Sequence, residues 1–147
     1  MGETMIGTVP WDVNYIAVVV ATVVGMIIGA IYYHPSVVGK AWMASTGRTD
    51  EQLKANAGAM LWVVTTVITL LMATVLAAAI SWSGEVTLGS GVLVGLVIWL
   101  GITLPVVTMT FLYEGRGYDA VAITLGHHLI LMAVMGAVIG WFPWGGI

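Results

Sequence analysis

Two adjacent histidines, His127 and His128, stand inside an apolar run, and a charged turn, Glu114-Gly115-Arg116, lies a short way upstream. Imidazole is the side chain that exchanges a proton near neutral pH. It also ligates metals and hydrogen-bonds between helices. A carboxylate facing it would complete a pair able to pass a proton. His128 follows Asp119 by nine residues, which in a helix of ~1.5 Å rise per residue is ~13 Å. At that depth below a charged turn a histidine either marks function or stays neutral and makes one interhelical hydrogen bond. Consecutive helical positions point ~100° apart, so His127 and His128 are not expected to share a partner. A stripe of small residues, Ala122, Gly126, Ala133, Ala137 and Gly140, is expected to form the packed face, with His128 off it.

Glu114 has two readings. It forms a turn ion pair with Arg116, or it points inward and makes a relay with a histidine of the last helix. The third histidine, His34, would join Glu114 and His128 in the one conceivable metal set. No two of these have a helical ligand spacing, so no metal or other cofactor is assigned. Other chemistries lack their residues. Zero cysteines exclude disulfides, thiolate metal sites and thiol catalysis. Ser36, Ser45, Ser81, Ser83 and Ser90 have no catalytic context, and no phosphate-binding loop or dinucleotide fingerprint occurs. An enzyme is not expected.

The elements that must position these groups are membrane helices. A hydrophobic fraction of 60%, a charged fraction of 7% and a mean hydropathy of +1.04 fall far outside soluble averages of about 45–50% apolar and about 25% charged. Four apolar stretches, about 13–33, 57–80, 88–112 and 120–141, predict an all-α membrane protein with four transmembrane helices. Together they use the chain, so 1–147 is one transmembrane domain. His34-Pro35 stops the first span. In the third, Pro105 leaves the Gly101 carbonyl without its helical donor, which predicts a kink in the half nearer Glu114.

Residues 36–56 read as an interfacial, amphiphilic segment. Lys40, Trp42, Arg48 and Lys54 are anchors suited to the headgroup zone. Thr49-Asp50-Glu51-Gln52 matches a capping box, which starts a helix near Asp50 that is expected to run directly into the second span. All four Lys and Arg residues (Lys40, Arg48, Lys54 and Arg116) lie in two connections on one side. The excess of positive charge on the cytoplasmic side therefore places both termini outside the cytoplasmic (inner) membrane. Trp11, Trp82, Trp141 and Trp144 form the outer aromatic belt, and Tyr32, Tyr33, Trp42, Tyr113 and Tyr118 the inner one. A net charge of −3 and the lack of a basic run argue against nucleic acid as a partner.

An ordered set of motifs runs from Asn14 to Trp141: GAIYYHPSVVGKAWM after the first span, the Phe-Leu-Tyr-Glu-Gly-Arg turn, and Gly-His-His-Leu followed by Met-Gly-Ala-Val-Ile-Gly. In these the chain resembles domain-of-unknown-function family 1761, small bacterial and archaeal proteins of four transmembrane helices. The family's aromatic-Tyr-Ser-Pro motif falls on Tyr32-Tyr33-His34-Pro35, with His34 where serine is usual. Its Gly-Lys-x-Trp falls on Gly39, Lys40 and Trp42, its Glu-Gly-Arg on Glu114–Arg116, and its helix-four histidine on His128. His127 takes a position that is more often aromatic. The resemblance implies a fold and no activity, and it leaves His34 and His127 as the weaker candidates.

Three glycine pairs, Gly25/Gly29, Gly91/Gly95 and Gly136/Gly140, have the spacing of helix-packing motifs; composition alone yields about two such pairs, so they indicate only where helices could approach closely. Three functions follow, in order. First is a non-enzymatic accessory or assembly subunit that packs as a homo-oligomer or against a larger membrane complex. Second is an oligomeric transporter of small solutes, protons or ions that uses His128 and Glu114. Third is a His-based metal or haem binder.

Overall fold

The computed structural model describes residues 12–143; Trp11 and Trp144, named above as belt residues, lie outside them. Helix α1 (Tyr15–Tyr32) starts where the Asn14 side chain accepts the Ala17 N–H, and ends at Tyr33 ahead of Pro35. A π turn over Pro35–Gly39 leads into α2 (Lys40–Thr46). Gly47, at φ 65, breaks the chain there in the left-handed region where glycine carries no Cβ penalty. The capping box then forms as read, Thr49 with Gln52, opening α3 (Asp50–Asn56). Three long elements follow: α4 (Ala59–Trp82), the pair α5 (Leu88–Ile98) and α6 (Leu104–Tyr113) joined by a π segment at Trp99–Thr103, and α7 (Tyr118–Trp141).

The architecture is all-α, with four helices long and apolar enough to cross a membrane: Tyr15–Tyr32, Ala59–Trp82, Leu88–Tyr113 and Tyr118–Trp141. Their bounds lie close to those expected from hydropathy. One expectation fails. The helix begun at Asp50 does not run into the second span but stops at Asn56, and extended backbone at Gly58 (ψ 167) starts a new helix at Ala59. Asparagine and glycine are poor helix formers and good boundaries, which the capping signal at Thr49 does not report.

Helix α7 is the centre of the bundle and touches α1, α2, α4, α5 and α6. Its most extensive contact is with α5. There a Cβ on Gly91 would collide with the Gly136 backbone, one on Gly95 with the Met132 carbonyl, and one on Gly140 with the Thr87 carbonyl. Two of the three glycine pairs are therefore the two sides of one backbone-to-backbone crossing. Gly25 instead lies under the side chains of Thr69, Leu131 and Met135, and Gly29 faces only His127. The core gathers at the end where α1 begins and α7 finishes, and there Val18, Leu76, Ile80, Met135 and Ile139 are fully buried. Toward the other end α4 diverges, and Met60, Trp62 and Val63 are 73%, 56% and 57% exposed.

The small-residue stripe is the packed face of α7 only at Gly140. Ala122 is exposed, Gly126, Ala133 and Ala137 are half-buried, and the buried set is Ala120, Val121, Thr124, Leu131, Met132, Met135, Gly136, Ile139 and Gly140. With lipid as apolar as leucine, residue size alone does not tell inside from outside.

Pro105 acts upstream of itself. The Leu104 N–H bonds back to the Trp99 carbonyl, five residues away. This wider spacing takes the carbonyl register past the missing donor and leaves Pro105 in the first turn of α6, where no N–H is needed. The same segment is pinned to α7 by the Trp99 indole, which donates to the Leu125 carbonyl at 3.0 Å. Trp99→Phe keeps the ring and removes that bond. The expected loss is about 1 kcal/mol, read as an earlier midpoint when folded protein in mild detergent is titrated with SDS and followed by circular dichroism.

Candidate functional site

The end of α1 and the first half of α7 build a cluster of rings. Tyr32 closes the last turn of α1, and its hydroxyl donates to the Ile123 carbonyl at 2.9 Å. This approach needs Gly126, because a Cβ there would stand 2.8 Å from the Tyr32 oxygen. Tyr33 packs edge-on against Trp42 of α2, with ring centres 5.7 Å apart. The close fold-back that permits this depends on Gly39, whose Cβ would strike the Tyr33 carbonyl. Gly39 and Trp42 of the Gly-Lys-x-Trp motif thus shape the C-terminal end of α1. The anchor, belt and motif readings of Trp42 do not include its packing on Tyr33, which has no periodicity that would announce it.

His127 fills the centre of this cluster. Its ring lies 5.3 Å from Tyr32, 5.0 Å from Tyr33 and 5.1 Å from His128, measured between centroids. Both ring nitrogens are buried, and among the described residues neither has a hydrogen-bond partner. An unpaired buried polar group costs about 1–3 kcal/mol, so His127 is a demanding side chain to bury here. The Thr124 hydroxyl faces the Tyr33 phenol without closing a hydrogen bond of good geometry.

His128 is differently placed. Its Nδ1 lies 2.9 Å from the Thr124 carbonyl. A carbonyl only accepts, so Nδ1 carries a proton in this contact. The two histidines do face different ways. His127 borders a cavity of about 400 Å³ between α1, α4 and α7. His128 borders another of about 450 Å³ between α4, α7 and the Trp99–Thr103 region.

Glu114 and Arg116 are not part of this cluster. Arg116 Nε meets Glu114 Oε2 at 2.7 Å within the turn, and the guanidinium stacks 4.7 Å above the Phe111 ring. Of the two readings of Glu114, the turn ion pair is the one formed. The short connection, reversed at Gly115 with φ 71, lets neighbours in sequence satisfy each other before any histidine is reached. His34 is likewise local: its ring caps the Pro35–Gly39 turn, with Nδ1 2.6 Å from the Ser36 hydroxyl and 3.3 Å from the Ser36 N–H. His34, Glu114 and His128 are not brought together, and among the described residues no group of three or more His, Asp or Glu is placed to hold a metal ion. Of the interfacial anchors, Lys54 pairs with Asp50 one helical turn away, with both groups largely exposed.

The weighting of the two histidines therefore changes. The departure of its position from the family pattern makes His127 the weaker candidate in sequence, but packing makes it the centre of the ring cluster. The usable signal was Gly126, the missing side chain beside it, combined with two tyrosines at the matching depth of α1.

No curated protein and no solved structure matches the chain. A family model does, over residues 16–140, spanning every element from α1 to α7 that builds the cluster. The chain belongs to the family described as protein of unknown function (DUF1761).

Proposed function

We propose that this is a non-catalytic multi-pass subunit of the cytoplasmic membrane, both termini outside, that assembles through its third span with a second copy or a larger complex. One observation carries the reading. The window over Leu88–Tyr113 is only 6% buried, against 28%, 33% and 28% for the other three, at an equal or higher mean hydropathy. Helix α5 spends its buried positions on the glycine crossing, while α6 buries none. Leu100, Ile102, Val106 and Met109 are all close to 60% exposed. In lipid, helices associate by close packing, and this span has the most surface left for it. The placement of Lys40, Arg48, Lys54 and Arg116 in two connections supports the orientation.

The chain contains no cysteine, which makes the test direct. Val106→Cys or Met109→Cys is expected to give an oxidant-dependent crosslink in intact membranes, to itself or to a captured protein, while Val23→Cys on the outer face of α1 gives none. Equal crosslinking at all three positions, or a monomer in mild detergent with no crosslink anywhere, defeats the proposal.

A second reading is transport of a small solute, a proton or an ion. It draws on the contact between His127 and His128, whose rings meet edge-on between two cavities. Against a relay through Glu114 stands its pairing with Arg116.

A further inference from the structure

The cavity between α1, α4 and α7 combines three properties that together specify an occupant. At about 400 Å³ it is within the size range of small-molecule sites, about 300–1,000 Å³. Its walls are apolar and aromatic, with Met26, Leu61, Leu131, Trp62 and Tyr33 among them, and among the described residues lining it none is Lys, Arg, Asp or Glu. Its unpaired polar capacity lies at its border, in His127 and beside the Tyr33 phenol. The Thr65 and Thr69 hydroxyls donate to the Leu61 and Thr65 carbonyls at 2.8 Å each, whereas both nitrogens of His127 are buried and unpaired. Leu61 and Trp62 on the rim are half exposed, so the mouth faces away from the bundle axis at the height of the span.

From these we infer that the cavity binds a neutral, lipophilic ring compound bearing a hydroxyl, taken up from the bilayer and held by His127. A neutral imidazole offers one donor and one acceptor, pointing in different directions, and a hydroxyl group can pair with either one of them. Charged headgroups are disfavoured because no ion of either sign is at hand to offset their desolvation. A ring fits the flat faces of Trp62 and Tyr33, where stacking adds to burial.

The matched probes are 2-naphthol and naphthalene, which differ by the hydroxyl alone. Full-length protein in lipid nanodiscs, labelled with ¹⁵N-histidine, reports each ring by NMR. The expected result is a saturable shift of the His127 nitrogens with 2-naphthol, at a bilayer concentration about tenfold below that needed with naphthalene, the size of one net hydrogen bond. His127→Phe preserves a ring in the cluster but removes that reporter; with binding read instead as uptake of each probe over empty nanodiscs, it is expected to abolish the preference, leaving both probes equal. Gly29→Leu is a second arm. A Cβ at Gly29 meets only His127 Nε2 at an ordinary 3.6 Å, so the longer side chain is accommodated by filling the cavity and is expected to weaken both probes. Equal affinity of the two probes for the wild type, or shifts that never saturate and move all three histidines alike, overturns the inference. So does unchanged binding in Gly29→Leu.

Discussion

Gly136→Val is expected to cost at least about 3 kcal/mol, beyond the usual range for overpacking a core. The reason is the identity of the obstacle. A Cβ at Gly136 meets the carbonyl of Gly91, and a Cβ at Gly91 meets the carbonyl of Gly136. A clashing side chain can change rotamer, but here both sides of the contact are helix backbone, so α5 and α7 would have to move apart as rigid bodies. Because α7 contacts every other span, separating it from α5 disturbs the whole bundle. Gly29→Ala is the control: it adds the same Cβ to the other kind of glycine pair, meets nothing closer than 3.6 Å, and is expected to fold as the wild type does. Both are read from the midpoint of SDS-induced unfolding in mild detergent; equal midpoints for Gly136→Val and the wild type contradict the crossing.

Met135→Ala is expected to be the next most damaging, at about 2 kcal/mol, the low end of the range for deleting a large buried side chain. The low end applies because the unfolded reference remains in lipid. The transfer from water that dominates in soluble cores is largely absent, and lost packing contacts remain. Met135 has no exposed surface, and it lies beside Gly25 of α1, which leaves room for its sulfur. Met135→Leu, which refills most of the volume, is expected to recover more than half of the loss in the same titration. A Met135→Ala midpoint equal to wild type would mean that the surrounding helices close the gap at no cost.

How much of this was legible depends on the distance over which each signal acts. The capping box at Thr49, the end of α1 before Pro35 and the four long apolar runs are local or compositional, and they read directly. Pro105 was legible as a disturbance but not in form: its missing donor demands a repair, and the wide turn at Trp99–Thr103 is one of several. The packed face of α7 was illegible for a physical reason. In water, apolarity marks the inside; in a bilayer it marks both sides, and small residues serve equally for close approach and for lipid contact, as Ala122 shows. The cluster around His127 needed knowledge that α1 and α7 are neighbours at the same depth. No spacing within one helix contains that.

Asn14 carries a consequence of another kind. Its Oδ1 accepts the Ala17 N–H and so begins α1, while its Nδ2 donates to the Pro143 carbonyl, 129 positions further along, at 3.0 Å. A chain made from its first residue onward and delivered to a bilayer one helix at a time can form the first of these bonds as soon as α1 is in place. The second has to wait for α7. One amide thus makes its first bond with α1 alone and its second only when α7 has joined it, so the closed Asn14–Pro143 link is a chemical record that these two helices have met.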